Sequence, residues 1–446
     1  MADSTAFGIE PLSKLLRQQA IPASIGILVM SINGIVDTIF VGRYVGALGI
    51  GAVTVVMPIS FLISSIGMAI GVGGASIISR SLGEKNMSRA TNTFGNQIVL
   101  TLFLASLFVV LGMYFQESIL RLFGGRGDIY EPASQYFQIV LYGVPLLAWI
   151  MMSNNVIRAI GYPKMAMLTL LVPAFVNLIL DPIFIIYYGW GIKGAAWATT
   201  LSFVASACYT TWFFFVKQKE LKLSKDCFRP NITLIKEMTA LGSVTLARQG
   251  TISVLSIVIN GGLFTYGGEM ALSTYGIINR VMMFANFPVL GITQGFVPIV
   301  GYNFGAKLLD RVKAMVTLSI KSATVIAFVI FSLIMIFTEQ LVSVFTTDLE
   351  LIALSVPALR FVFLATPLIA LNLLGSAYFQ AIGKARPALL LTLTKQGFFL
   401  IPLVAIFPFF FGLNGIWWAF PIADTGAALI TLWFLKQELS NLNQPS

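Results

Sequence analysis

The chain has 446 residues, of which 57% are hydrophobic and 10% charged; its formal net charge is +10 and its mean hydropathy +0.88. A soluble domain carries about 25% charged residues, so this composition excludes an ordinary soluble fold and indicates that most of the chain faces lipid. The basic residues lie in short loops between apolar runs, which excludes a nucleic-acid-binding protein. The absence of histidine excludes His-based metal sites, triads and proton relays.

Twelve apolar runs are long enough to cross a bilayer as helices, which takes about 20 residues each. We predict spans at 20–43, 49–79, 95–116, 134–157, 165–189, 194–216, 240–265, 271–301, 315–338, 351–380, 388–411 and 414–435. The stretch Pro11–Gln19, which precedes the first span, predicts a short interfacial helix. Together these runs predict an all-α integral membrane protein with twelve transmembrane helices.

The distribution of Lys and Arg predicts the orientation of the spans. With both termini in the cytoplasm, nineteen basic residues lie in or beside cytoplasmic segments and four lie outside, as the positive-inside rule requires. The basic stretch 217–236 is then a cytoplasmic linker. It separates an N-terminal lobe, 1–216, from a C-terminal lobe, 237–446, and each lobe has six spans. We expect a multi-pass protein of the inner (plasma) membrane.

The two halves repeat at an offset of 222 residues. The matching positions are Gly73 and Gly295, Gly83 and Gly305, Arg89 and Arg311, Glu117 and Glu339, Phe123 and Phe345, Pro145 and Pro367, and 159–161 and 381–383. Since six spans is an even number, both halves insert in the same orientation, and their pseudo-two-fold axis runs along the membrane normal.

Two aspartates lie deep in predicted spans of the first half, where a charge costs about 2.5–3.5 kcal/mol on insertion scales. Asn33 precedes Asp37 by four residues, and Asn177 precedes Asp181 by four, so each pair shares a helix face. Pro182 cannot donate a backbone hydrogen bond, and its position predicts a kink after Asp181. Carboxylate, amide and freed carbonyl oxygens predict a proton or hard-cation site. Structural pairing of each aspartate within the bundle is the alternative.

The second half places basic residues inside its spans. Arg280 lies deepest, and contact with substrate or an interlobe gate competes with structural pairing there. Arg248 and, in the fourth span, Asn154 are further candidates for the substrate cavity or the interlobe gate. Asp424 is expected to face the cytoplasmic half of the bundle or to pair with Lys395.

Several motifs together resemble the multidrug and toxic compound extrusion (MATE) family over nearly the full length. They are N-G-I-V-D-T-I-F-V-G followed by G-A-L-G-I-G-A-V, S-R-S-L-G-E-K, R-A-I-G-Y-P-K, N-L-I-L-D-P, Y-G-I-I-N-R and V-P-I-V-G-Y-N-F-G-A. The resemblance implies two six-helix lobes in a V and alternating access. It implies secondary active antiport of amphiphilic drugs or toxins against protons or sodium, and hence a role in drug resistance.

In the branch with a cation site in the N-terminal lobe, the family's pattern falls on Asp37, Asn177, Asp181 and, in G-A-A-W-A-T, Thr199. These four residues are the set for a possible sodium ion, and Asn33 is added from its spacing. The branch with acids in the seventh and tenth spans is not matched, since those spans hold Asn260 and Asn372 instead. The resemblance therefore assigns the chain to the DNA-damage-inducible-F-like type.

Other function classes remain as alternatives. A lipid or lipid-linked sugar flippase of the same superfamily is disfavoured by twelve spans and by the paired acids. An intramembrane aspartyl-type enzyme needs two close carboxylates, but no metal-ligand cluster, nucleophile elbow or phosphate loop is present. A passive channel is the third alternative. We expect no enzyme activity and no cofactor beyond the coupling proton or sodium ion. The expected partners are small amphiphilic substrates and membrane lipids, with no nucleic acid. We expect the protein to be a monomer.

Overall fold

The computed structural model describes residues 4–441, and every regular element in that range is helical. A helix satisfies all its backbone hydrogen bonds within one segment, which is what a chain in hydrocarbon requires. The long helices are α1 Leu12–Tyr44, α2 Ala47–Gly83, α3 Met87–Tyr114, α4 Tyr130–Ala159, α5 Pro163–Asp181, α6 Gly191–Trp212, α7 Ile232–Gly305, α8 Leu309–Ile336, α9 Leu349–Phe363, α10 Thr366–Ala381, α11 Ala385–Leu393 and α12 Leu413–Asn441.

Shorter elements flank or continue these helices. They are the α-helical turns Ala6–Ile9, Gln116–Leu122, Thr338–Ser343, Ile401–Ile406 and Pro408–Phe411, the π-helices Pro182–Tyr187, Phe213–Lys217 and Thr394–Leu400, and the 3-10 turns Gly127–Ile129 and Lys225–Phe228. Helix α11, its π-helix and the turns after it form one span, Ala385–Phe411.

The predicted number of crossings is confirmed. Within the described range, ten helices are long and apolar enough to cross a membrane, and the α9–α10 pair, bent by 46°, is an eleventh span. Helix α7 has 74 residues and breaks at Gly268, where φ is +61°. Because that break separates the predicted spans 240–265 and 271–301, α7 supplies two crossings, and the total is twelve.

The helix predicted at Pro11–Gln19 is not a short element of its own. Helix α1 begins at Leu12 and continues without interruption to Tyr44. Its first turns are held by close packing, since a Cβ on Gly295 would lie 2.8 Å from the Cβ of Gln19. The helix continues through Pro22, which cannot donate a backbone hydrogen bond, because this packing stabilises its extension.

Contacts divide the chain into two compact units. Unit 1 contains 25–242, with 4–6, and unit 2 contains 7–24 and 243–441. The first half of α1 therefore belongs to unit 2, and the first residues of α7 belong to unit 1. The predicted lobe boundaries, with a linker at 217–236, stay a prediction.

Close helix packing in unit 1 brings α2 against α4. A Cβ on Gly67 would lie 2.7 Å from the carbonyl oxygen of Ala148, and one on Gly71 would lie 2.9 Å from the Cα of Met152. Real Cβ atoms do not approach backbone this closely, so only glycine lets the two helices touch. This packing sets the position of α4, which carries Tyr136 toward the acids described below.

The local structure repeats with the sequence. Lys85 and Lys307 both have φ of 58°. The Asn154 amide donates to the carbonyl of Ala166 at 2.7 Å, and the Ser376 hydroxyl, 222 residues later, donates to the carbonyl of Ala388 at 3.0 Å. Equivalent positions thus make equivalent bonds in the two halves.

Candidate functional site

The two predicted acids of unit 1 come together. Asp37 lies in α1 and Asp181 is the last residue of α5, and their carboxyl groups are within hydrogen-bonding reach of each other. Asp181 is fully buried, while Asp37 is partly buried. The four-residue spacing of each asparagine from its aspartate puts each acid on a polar helix face, and the structure shows that the two faces meet.

A chain of amides orients Asp181. The Asn33 amide nitrogen donates to the Asn177 oxygen at 3.1 Å, and the Asn177 nitrogen donates to Asp181 Oδ1, also at 3.1 Å. Asn177 therefore uses both ends of its amide, and its orientation is set by the two neighbours together. This chain links α1 to α5 at the level of the acids.

Two carboxylate oxygens are left without a donor. Asp37 Oδ1 and Asp181 Oδ2 are buried, yet neither accepts a hydrogen bond from any residue that the structure describes. No Lys or Arg forms an ion pair with Asp37 or Asp181 among those residues either. Two ionised carboxylates repel at this distance, so a shared proton or a bound cation is needed between them.

Tyr136 of α4 is a neighbour that the sequence did not indicate. Its ring is buried near both acids, and its hydroxyl lies within hydrogen-bonding reach of that of Thr199 on α6. Thr199, assigned from the family pattern, therefore contacts the site through Tyr136. The only signal in the sequence was a tyrosine near the N-terminal end of a predicted span, and its relevance depends on helix packing.

The backbone changes form directly after Asp181. Helix α5 ends there, and a π-helix begins at Pro182 and runs to Tyr187. Gly194 of α6 packs on this segment so closely that a Cβ would lie 2.9 Å from the Phe184 carbonyl oxygen. π-Helical turns occur often at functional sites, and here the turn follows the buried acid directly.

The other candidate residues lie apart from this pair. Asn154 donates to Ala166 and Thr169 and accepts from Arg158, all inside unit 1. Arg248 and Arg280 lie in unit 2, half-buried and exposed respectively, and no residue of the described chain forms an ion pair or hydrogen bond with either. The Lys395–Asp424 pairing considered from the sequence is present, at 2.5 Å.

The donor set suits a proton more directly than a sodium ion. The Asn177 oxygen faces Asn33, so it would have to turn before it could ligate sodium. A proton shared between Asp37 and Asp181 needs no such movement.

Known proteins match this chain in fold and over nearly its whole length. The MatE family model matches residues 22–183 and 244–406. Multidrug export protein MepA of Staphylococcus aureus (strain NCTC 8325 / PS 47) is 27% identical over 437 residues, which cover 97% of this chain and 96% of that protein. MepA of Staphylococcus haemolyticus (strain JCSC1435) is 28% identical over 443 residues, covering 99% and 97%.

Solved structures resemble this one over their full lengths. A crystal structure of MATE in complex with MaL6 superposes with a TM-score of 0.94 at 25% identity and covers 100% of both chains. The outward-facing conformation of a multidrug resistance MATE family transporter of the MOP superfamily gives a TM-score of 0.93 at 25% identity, covering 100% of this chain and 99% of that one.

Proposed function

Since the chain belongs to the MatE family, whose members are transporters, we propose that it exports amphiphilic drugs or toxins in exchange for protons by alternating access. The similarity to multidrug export proteins over 97% or more of the chain supports the efflux role. The protein is a membrane transporter and not an enzyme. The coupling ion, the orientation in the membrane and the choice of substrates are likewise proposed here.

The observation that carries the coupling proposal is the Asp37–Asp181 pair, with one buried oxygen on each acid that accepts from no described residue. A membrane-buried carboxyl pair without a Lys or Arg partner is stable when it holds a proton and is costly when it holds none. Binding and release of that proton changes the charge of α1 relative to α5. This change of charge shifts the equilibrium between the two conformations of the carrier.

Substrate binding and proton binding then compete at the same acids. A cationic amphiphile stabilises the ionised pair, and a proton entering from outside neutralises it and lowers affinity for the cation. The π-helix after Asp181 is a segment in which α5 can change its hydrogen-bond register. Sodium remains the alternative ion, with Asp37, Asn177, Asp181 and Thr199 as its ligands once the Asn177 amide turns.

The surroundings of the carrier follow from the same proposal. We expect both termini on the cytoplasmic side of the plasma membrane, because nineteen basic residues would lie on that side and four on the other. We expect the functional unit to be a monomer, since each described unit packs its own hydrophobic core. Lipids are its surrounding solvent.

The test is substrate export in proteoliposomes with one gradient imposed at a time. Purified protein is reconstituted with ethidium as the substrate, and either a pH gradient or a sodium gradient is applied. The proposal expects accumulation against the ethidium gradient with the pH gradient alone. Accumulation with sodium alone would replace the proton by sodium, and ethidium movement that only follows its own gradient would indicate a channel.

The flippase alternative is tested in the same vesicles. A fluorescent phospholipid in the inner leaflet is followed by dithionite quenching, with and without the pH gradient. Lipid transfer that depends on the protein and on Asp181, together with no ethidium export, would favour the flippase over the drug exporter.

A further inference from the structure

The segment between α6 and α7 is held in place by one buried side chain of α3. The Asn96 amide nitrogen donates to the backbone carbonyls of Cys227 and Arg229, at 3.3 and 3.2 Å. Its oxygen accepts from the backbone N–H of Asn231 at 2.7 Å. Gly95 packs so closely on this stretch that a Cβ there would overlap the Cys227 carbonyl oxygen. The backbone from 227 to 231 is therefore an ordered part of unit 1, with a fixed position relative to α3.

A cavity of about 380 Å³ lies where this segment meets α3. It is lined by Asn92 and Asn96 of α3 and by five residues of the segment 226–232. Two of the lining residues are charged, Asp226 and Arg229, and their side chains form an ion pair at 3.4 Å while they are 76% and 84% exposed. Because an exposed pair contributes little to stability, the two charges can separate and turn to a ligand at small cost. The cavity thus offers one cation and one anion side by side.

The cavity lies at the level of lipid headgroups. Helix α3 has 28 residues and is about 42 Å long, whereas the hydrocarbon core of a bilayer is about 30 Å thick, so the ends of α3 lie among the headgroups. Asn92 is five residues after the first residue of α3, about 8 Å along its axis, close to the boundary with the hydrocarbon. Phe228 and Ile232, in the same segment as Arg229, are 38% and 66% exposed. Apolar side chains therefore flank the polar cavity.

We propose that this cavity binds the headgroup of a phospholipid that carries a primary ammonium group, the phosphatidylethanolamine class. The Arg229 guanidinium and the Asn92 amide donate to the phosphate, and the Asp226 carboxylate accepts from the ammonium, which has three N–H donors. An anionic headgroup leaves Asp226 without a partner and adds a second negative charge beside it. A choline headgroup has no N–H to donate. The lipid site is independent of drug export and adds a specific lipid to the partners of this protein.

Lipid binding to the full-length protein tests this proposal. Delipidated protein in dodecyl maltoside is titrated with phosphatidylethanolamine, phosphatidylcholine or phosphatidylglycerol of identical acyl chains, and the lipid-bound protein is counted by native mass spectrometry. We expect phosphatidylethanolamine to bind about tenfold more tightly than either of the other lipids, because it alone adds a charge-assisted hydrogen bond to Asp226. Equal affinities for the three lipids would overturn the proposal.

Two substitutions separate the roles of the charges. Arg229→Gln removes the cation that binds the phosphate and should lower the affinity for all three lipids about tenfold. Asp226→Asn removes the carboxylate that binds the ammonium. It should lower the affinity for phosphatidylethanolamine to that for phosphatidylcholine, without weakening the binding of phosphatidylglycerol. An unchanged preference for phosphatidylethanolamine in Asp226→Asn would contradict the site.

Lys222→Gln is the matched control. It removes an exposed positive charge from the same linker but not from the lining of the cavity, and it should leave all three affinities unchanged. A loss equal to that of Arg229→Gln would show that net charge alone attracts the lipids, and would overturn the site. Without lipid, the variants should unfold at the same temperature as the unsubstituted protein, since Asp226 and Arg229 are exposed.

A soluble competitor identifies the source of the headgroup. Glycerophosphoethanolamine carries the same phosphodiester and ammonium groups without acyl chains. We expect it to displace phosphatidylethanolamine only at concentrations at least about a hundredfold higher, because it lacks the apolar chains that contact Phe228 and Ile232. Displacement at equal concentrations would assign the cavity to a soluble zwitterion and overturn the assignment to a lipid.

Discussion

The Asp37 carboxyl lies within hydrogen-bonding reach of the Asp181 carboxyl, and each keeps one buried oxygen that no described residue donates to. The two acids come from the first and the fifth crossing helices, so their approach joins two elements that are far apart in the chain. A pair of this kind is most stable with one proton between its oxygens. Its protonation state is therefore tied to the positions of both helices.

Replacement of Asp181 by asparagine is expected to abolish export driven by the pH gradient. The amide is similar in size but cannot ionise, so the pair no longer exchanges a proton. Ethidium uptake into inverted vesicles, with a pH jump, measures the effect. Asp128→Asn, at an exposed acid outside the long helices, is the control and should behave as the unsubstituted protein. Full gradient-driven export by Asp181→Asn would refute the coupling role.

Tyr136 and Thr199 are expected to act together. Tyr136→Phe keeps the buried ring and removes the hydroxyl that lies within hydrogen-bonding reach of Thr199, and Thr199→Val removes the other partner. Each change should raise the external proton concentration needed for half-maximal export by about three- to tenfold, the worth of roughly one hydrogen bond. Because both remove the same bond, the double variant should be no worse than the poorer single one. Additive losses would show that the two hydroxyls act independently.

Glu237 is expected to be important for the stability of unit 1. It accepts from Arg80 at 2.9 Å and from Arg89 at 2.8 Å, and so ties the beginning of α7 to α2 and α3. Glu237→Gln leaves the mostly buried Arg80 without its counter-ion, at a cost of about 1–3 kcal/mol. Thermal unfolding in detergent, followed by intrinsic fluorescence, should show a lower midpoint.

An exposed ion pair provides the matched control for that substitution. Glu117 meets Arg121 at 2.7 Å, with both side chains more than half exposed. Since exposed pairs contribute little, Glu117→Gln should leave the unfolding midpoint unchanged. Equal shifts for the two variants would argue against a special role for the Arg80–Glu237–Arg89 cluster.

Gly67 is expected to tolerate no side chain. An alanine there would place its Cβ 2.7 Å from the Ala148 carbonyl oxygen, which forces α2 and α4 apart. Gly67→Ala should therefore lower the yield of folded, monodisperse protein in size-exclusion chromatography. Gly250→Ala, in the interior of α7 with no atom within 4 Å of the new Cβ, should be neutral or slightly stabilising. Similar behaviour of the two variants would contradict the predicted close packing.

Local properties of the sequence were sufficient to predict the membrane body. Hydropathy and length depend on each segment alone, so the twelve crossings could be predicted without knowledge of any contact. The division of α7 followed from two apolar runs, and the structure places the break at Gly268 between them. The repeat of 222 residues was visible because identical residues, such as Pro145 and Pro367, recur at that offset; the structure adds that Asn154 and Ser376 make equivalent bonds.

Part of the site was also predictable. The spacing of Asn33 from Asp37, and of Asn177 from Asp181, follows from helical periodicity, which is a local rule. Periodicity defines which residues share a face but not which helix that face meets. The bond between Asn33 and Asn177, and the approach of the two acids, therefore needed the packed structure.

Tertiary structure alone decided the rest. Tyr136 reaches the acids because glycines let α4 pack closely on α2, and Lys395 meets Asp424 because the π-helix that continues α11 packs on α12. Both relationships depend on the relative register of two helices. Register results from side-chain packing between segments distant in the chain, and no property of either segment by itself determines it. The sequence by itself determined that this protein consists of membrane-spanning helices. Packing between those helices decided which of its polar groups meet.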